Sequence, residues 1–259
     1  MSVTAAHGFR AVGLAAGIKA SGKPDIALIV NDGPKDHAAA VFTSNRFPAA
    51  PVLWSRQAVS DGSARAVIVN SGGANACTGA RGFQDAHAMA EATSRGLTEG
   101  VTEVGAGDVL VCSTGLIGEL LPMDKVHAGI DECVAALTDD GGESAALAIM
   151  TTDSVPKLAV RQGEGYVIGG MAKGAGMLAP GLATMLVFIT TDADVSATDL
   201  DAALRQATSV SFDRIDSDGC MSTNDTVIAL ANGASQVTPE IDSFVRVLTD
   251  VCIDLARQL

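Results

Sequence analysis

Short apolar bursts alternate with polar, turn-forming stretches through the first quarter of the chain. IALIV at 26–30, AAAVF at 38–42 and AVIV at 66–69 are separated by NDGPKD and SDGSAR. Their length and β-branched content predict buried strands joined by turns. No long helical signal precedes Gly82. There FQDAHAMAEATSRGL places small, helix-compatible residues at helical spacing and predicts a helix near 83–95. DVLVCSTGLIG, 108–118, reads as a strand running into a tight turn. LPMDKVHAGIDECVAAL, 121–137, reads as an amphipathic helix with Pro122 in its first turn. ESAALAIMTTD, 143–153, predicts a helix that ends at its threonines. YVIGGMAKGAG, TMLVFITTD and DTVIALANG predict three more strands. The helix ATDLDAALRQATSVSF lies between the last two, and IDSFVRVLTDVCIDLARQL forms a final helix. Strands alternating with helices predict a layered mixed α/β fold, with sheets packed against helices. No repeat of fixed period and no low-complexity linker marks a domain boundary.

Composition narrows the classes. At 259 residues, 47% apolar and 18% charged, the chain can bury a substantial core and does not read as disordered. Lys and Arg number 17 against 30 Asp and Glu, and the net charge of -13 opposes attraction to a phosphate backbone. One Trp and one Tyr leave few stacking platforms, so nucleic acid is a poor candidate partner. The five cysteines are irregularly spaced, with no CxxC pair and no histidine cluster, which fits a reducing compartment and offers no zinc signature. MSVTAAHGFRAVGLAAGIKASG lacks a basic leader and a sustained apolar region, and no apolar run reaches about 18 residues. A cytoplasmic protein with no membrane span is the expectation. Neither a Walker sequence nor a dinucleotide fingerprint is present, and no cofactor or metal is expected.

The chemistry concentrates in GMAKGAGMLAPGLATMLVFIT, Gly170 to Thr190, which sets Thr184 between a glycine-rich turn and an apolar run. A threonine at a strand start is ordinarily structural. A hydroxyl is also a weak nucleophile unless a base adjoins it. Cutting the Ala183–Thr184 bond would create that base, because an α-amine of reference pKa about 8 can take the proton without a histidine. Lys173 is the one charge in this segment. It is either a surface lysine on a turn or a cation held near Thr184, lowering the amine's pKa or pairing with a substrate carboxylate. Thr114 and Gly115 follow an apolar strand, where freed N–H groups and a hydroxyl could face a developing oxyanion; a plain glycine turn is the alternative. NSGGANACTG, Asn70 to Gly79, could line a pocket with amides and Asn75 or form a compact loop. FDRIDSDGCMSTNDT concentrates Asp213, Asp216, Asp218 and Asp225, but it lacks the loop spacing and terminal glutamate of a calcium loop and suits polar shaping of a site or turn. The four histidines are scattered and suggest no triad.

Taken in order, NSGGANACTG, CSTGLIG, IMTTD, GGMAKGAGMLAPGLATML and DRIDSDGCMSTNDT resemble the ArgJ family, the ornithine acetyltransferases of the cyclic arginine pathway. The resemblance spans nearly the whole chain. It implies an ArgJ/DmpA-like fold and autoprocessing of the N-terminal-nucleophile type. Met1 to Ala183 would form an α chain, and residues from Thr184 through Leu259 the start of a β chain, in an α2β2 heterotetramer. It implies that Thr184 attacks the acetyl group of N-acetylornithine, forms an acetyl-threonine ester, releases ornithine and passes acetyl to glutamate. Acetyl-CoA is a further donor in many members. Thr114 and Gly115 match the family's oxyanion pair, while Lys173 and Thr151 match substrate-contacting positions, with Thr152 the alternative to Thr151. Family precursors are longer, and the acidic residue, Asn and hydroxyl residue that complete their substrate pocket would lie beyond Leu259. Two other readings stand beside this one: an amidase or aminopeptidase using the same nucleophile, and an inactive structural subunit.

Overall fold

A computed structural model describes residues 2–98, 104–176, 185–216 and 218–259. The apolar bursts form strands buried on both faces, as their unbroken hydrophobic runs require. Strand β1 (Phe9–Leu14) leads to β2 (Ile26–Asn31), β3 (His37–Phe42), helix α1 (Ala50–Ala58) and β4 (Ala66–Asn70). Helix α2 (Gly79–Thr98), β5 (Val109–Ser113), α3 (Met123–Ala135) and α4 (Gly142–Ala148) follow. The remainder is β6 (Lys157–Gln162), β7 (Val167–Lys173), β8 (Leu186–Thr191), α5 (Ala197–Val210), β9 (Thr226–Ala231) and α6 (Ile241–Gln258).

The strands make two sheets, ordered β1-β2-β4-β5 and β3-β9-β8-β7-β6. Among the strands of the described residues only β4–β5 and β8–β9 are parallel. Each of those pairs is bridged by a helix, α2 or α5, because a parallel return needs a crossover long enough to span the sheet. The sheets face each other across a shared core of Ile29, Val69 and Leu110 from one and Met171, Phe188 and Ile228 from the other. Helices α2 and α3 cover the outside of the first sheet through Met89, Val126 and Ile130. Helices α5 and α6 cover the second through Leu200, Leu204, Phe244 and Leu248. The architecture is thus four layers, helix–sheet–sheet–helix, and the mixed α/β expectation holds. Side chains along β8 alternate accordingly, Leu186 and Phe188 entering the inter-sheet core and Val187 and Ile189 the core beneath α5 and α6.

Three elements were not read from the pattern. Helix α1 precedes Gly82, contrary to the expectation that helix begins there; it starts with Pro51 in its first turn and runs only nine residues. Strands β1 and β6 lie at sheet edges and are only partly buried, so their hydrophobic signal is diluted. The helix predicted over 143–153 stops at Ala148. Met150 N–H closes a short turn on the Leu147 carbonyl at 3.4 Å, and the Asp153 carboxylate captures the Thr151 N–H at 3.0 Å. Thr151 and Thr152 therefore stand on a loop. Among the described residues no helix is long and apolar enough to cross a membrane.

Candidate active site

Register places one end of the sandwich in common. Asn70 pairs with Ser113 where β4 and β5 end, while Lys173 at the end of β7 pairs with Leu186 at the start of β8, which pairs in turn with Thr226 at the start of β9. Loops leaving these strand ends enclose a cavity of about 1060 Å³. Its polar wall includes Thr114, Gly115, Thr151, Lys173 and Asp218, and its apolar wall includes Ile18, Leu116 and Leu120.

Lys173 is only 2% exposed, so the surface-turn reading of this lysine is wrong. Its ammonium donates to Thr114 Oγ1 at 3.0 Å and Thr151 Oγ1 at 3.3 Å, joining hydroxyls from two loops on one cation. Burial pushes the amine down to about 8. Asp153 and Asp225 oppose that shift, while Lys157 and Lys19 reinforce it. Of the two threonines left open by sequence, Thr151 is the one bonded to Lys173; Thr152 also lines the cavity.

Thr114 is pinned by its own N–H, which donates to the Asn70 carbonyl at 3.0 Å. That N–H is spent, and the hydroxyl is the donor Thr114 retains for the cavity. The Gly115 N–H has no acceptor among the described residues. Gly115 has φ +129°, and a Cβ there would sit 2.8 Å from the backbone of Gly72 and Gly73. Only glycine permits this close approach of two loops. An oxyanion site assembled here would use the Gly115 N–H and the Thr114 hydroxyl beside a cation, instead of two backbone amides.

Asn70–Gly79 divides between its two readings. Ser71, Gly72 and Gly73 line the cavity, whereas Asn75 is buried and turned to structure. Its Nδ2 donates to the Gly82 carbonyl at 2.8 Å, and its Oδ1 accepts from Thr78 at 2.7 Å. In the aspartate-rich segment, Asp218 reaches the cavity and Asp225 lies fully buried behind it. No three metal-ligating side chains gather among the described residues. Thr184, Ala183, Pro180 and Gly181 lie outside the described residues. Met185, the residue after Thr184, is held by Asp225, whose Oδ1 accepts its N–H at 3.0 Å.

Sequence reasoning passed over Asp153 and Lys157, which support the cavity from below. Asp153 Oδ1 accepts from Lys157 Nζ at 2.5 Å and from the Gly174 N–H at 2.7 Å, and both side chains are almost completely buried. Burial would raise this carboxyl, but Lys157 and the N–H groups of Gly174 and Thr151 together hold it below its ordinary value. Asp153 thereby fixes Thr151 and Gly174, the residue after Lys173. Its spacing from Lys157 was the available signal, hidden because Pro156 breaks any helical reading. Asp153→Ala would leave Lys157 charged, buried and unpaired. A loss of about 3–5 kcal/mol in urea unfolding is expected, and an Asp153→Asn/Lys157→Met double variant should recover part of it.

The ArgJ family model matches residues 10–259. The chain is 61% identical over 259 residues to the arginine biosynthesis bifunctional protein ArgJ of Streptomyces coelicolor, covering 100% of this chain and 66% of that protein. It thus spans about two thirds of the length of the curated relatives it matches. Among solved structures, ornithine acetyltransferase from Mycobacterium tuberculosis, complexed with ornithine, is 54% identical with a TM-score of 0.65. That match covers 71% of this chain and 96% of the other. The L-aminopeptidase D-Ala-esterase/amidase of Ochrobactrum anthropi, a variant of the Ntn hydrolase fold, is 14% identical with a TM-score of 0.57 and covers 99% of this chain and 85% of that one. At that identity the likeness concerns fold alone.

Proposed function

Because the chain belongs to the ArgJ family, we propose that it carries the nucleophile and oxyanion elements of an autoprocessed acetyltransferase. The acetyl group moves from N-acetylornithine to glutamate. The observation that carries this reading is the buried Lys173 ammonium bonded to Thr114 and Thr151 at the sandwich end where β8 begins, two residues after Thr184. A buried cation between two hydroxyls beside an open N–H suits negative charge that develops on a carbonyl oxygen.

In the proposed cycle the chain is first cut between Ala183 and Thr184, dividing it into an α region, 1–183, and a β region from 184 onward. The length of the mycobacterial chain supports this: 71% of these 259 residues, about 184, accounts for 96% of it. The freed α-amine of Thr184 takes the hydroxyl proton as Oγ attacks the acetyl carbon. The Gly115 N–H and the Thr114 hydroxyl receive the oxyanion, while the Lys173 charge stabilises it. Collapse returns the proton to the leaving nitrogen, ornithine departs, and an acetyl-threonine ester remains. The glutamate amine then attacks the ester by the same route in reverse. Acetyl-CoA would acylate Thr184 at the first step if it serves as a donor. Thr151 and Lys173 would contact substrate, and α and β regions would remain together as α2β2 in the cytoplasm.

Incubating the purified full-length protein with N-acetylornithine, with and without glutamate, tests the assignment. Ornithine release that depends on glutamate and yields N-acetylglutamate is expected. Hydrolysis to acetate unaffected by glutamate would replace transfer with amidase chemistry, and a polypeptide found uncut at 183–184 by intact mass would remove the N-terminal nucleophile.

A further inference from the structure

Lys19 is a second cation on the cavity wall, and the acyl-transfer steps assigned above leave it without a task. We propose that its ammonium holds the α-carboxylate shared by the amino acids that enter the cavity, donor and acceptor alike. The proposal deepens the acetyltransferase reading and rests on it.

The place of Lys19 is fixed by its own loop. Asp25, fully buried, accepts the Ala16 N–H at 2.7 Å and the Lys19 N–H at 2.8 Å, so its two oxygens close the turn over 16–25. From outside, Lys125 Nζ donates to the Gly17 carbonyl at 2.7 Å. Ile18 packs against the Gly72–Gly73 turn so closely that a Cβ on Gly72 would fall 2.2 Å from its Cγ2. Gly115 makes its own close approach to that same turn. A single packed turn therefore separates the Lys19 loop from the Gly115 N–H. On its other side, Lys19 Nζ donates to the Pro24 carbonyl at 2.8 Å and to the Met150 carbonyl at 2.7 Å, and Met150 precedes Thr151. Lys19 thus stands between the oxyanion turn and the Thr151 loop.

Those carbonyls take two of the three ammonium protons and bring no counter-charge. Among the described residues no ion pair joins Lys19. The nearby carboxylates are committed elsewhere, Asp25 to two N–H groups and Asp153 to Lys157 and two more. Burial lowers the Lys19 amine; Asp25 and Asp153 oppose that shift, and Lys23 reinforces it. Lys19 in turn helps to lower Lys173. Two like charges on one cavity wall repel each other, and an anionic ligand in the cavity offsets that repulsion.

The chemistry of the two substrates selects which anion. Their side chains end in opposite charges, an ammonium on ornithine and a carboxylate on glutamate. Both carry an α-carboxylate on the carbon that bears the reacting nitrogen. A fixed cation beside the oxyanion turn can serve both half-reactions only through the group they share. The third Lys19 proton makes a charge-assisted hydrogen bond to that carboxylate. It sets the reacting nitrogen against the acetyl carbon and leaves Lys173 to the oxyanion.

The test compares acetyl transfer by the full-length protein to three acceptors: glutamate, isoglutamine, whose α-carboxylate is an amide, and glutamine, whose γ-carboxylate is an amide. Wild type is expected to favour glutamate over isoglutamine by about ten- to a hundredfold in kcat/KM, as for loss of one charge-assisted hydrogen bond. Lys19→Met should shrink that preference about tenfold or more and leave the preference for glutamate over glutamine unchanged. Lys19→Arg should keep most of it. Lys125→Met loosens the same loop from outside the cavity and should affect glutamate and isoglutamine alike. A ratio of two acceptors on one enzyme is independent of how much of the sample is active. An undiminished preference for glutamate over isoglutamine in Lys19→Met would assign Lys19 to loop structure and overturn the proposal, with the acetyltransferase reading intact. If Lys19→Met does not fold, Lys19→Gln is read in the same way. Wild type that uses isoglutamine as well as glutamate overturns the proposal without any variant. If wild type transfers no acetyl group to glutamate, the acetyltransferase reading fails and this proposal falls with it.

Discussion

Thr184→Ala is expected to leave one uncut polypeptide that still folds, with acetyl transfer lost entirely. The hydroxyl would be absent from both events assigned to it, so no residual route to the ester intermediate remains. Folding should survive because β8 itself, Leu186–Thr191, is buried through residues that the substitution does not touch. Intact mass reports the cut, circular dichroism the fold, and N-acetylglutamate production the transfer. Wild-type turnover in the uncut variant would defeat the nucleophile assignment. Thr184→Ser should retain both cleavage and transfer, since it keeps the hydroxyl and the potential α-amine.

Lys173→Met carries the second largest expected effect. Methionine approximates the length and volume of the lysine stem while removing the charge between Thr114 and Thr151. A fall in kcat of about a hundred- to a thousandfold is expected, comparable to the loss of one oxyanion-stabilising group. The pH profile gives a sharper readout. The Lys173 amine, pushed down to about 8, is charged below that pH and neutral above it, so wild-type activity should fall as pH rises through about 8. Proton uptake by the Thr184 amine has the opposite sign and produces a rising limb. Lys173→Met should lose the falling limb and keep the rising one. Stability should hold or increase, because removing a buried charge relieves its desolvation while Asp153 keeps Lys157 as its partner. A large drop in thermal midpoint with an unchanged pH profile would assign Lys173 to structure.

The strands of the inter-sheet core were legible because burial on both faces leaves a nearly continuous apolar run, with the buried polar residues Asn70, Ser113, Lys173, Thr190 and Thr191 confined to strand ends. The edge strands β1 and β6 were not, since partial exposure admits Arg10, Arg161 and Gln162 and breaks the run. Helix 143–153 was read too long for a related reason. Its composition continues to favour helix past Ala148, but the carboxylate that captures the Thr151 N–H belongs to a network with Lys157 and Gly174. The motif around Thr184 marked the chemistry, and Thr114, Gly115, Thr151 and Lys173 were named from sequence. The structure brings these four to one cavity.

The sequence by itself determined the layered α/β class and the residue types available for acyl chemistry, because periodicity and motif are local properties that a chain carries before it folds. Tertiary structure decided that Lys173 is buried, that Gly115 must be glycine, and that the buried Asp225 carboxylate holds the Met185 N–H. Burial and hydrogen bonding depend on which distant segments meet. Residues 113, 173 and 225 meet only because parallel and antiparallel register bring five strand ends to the same side of the sandwich.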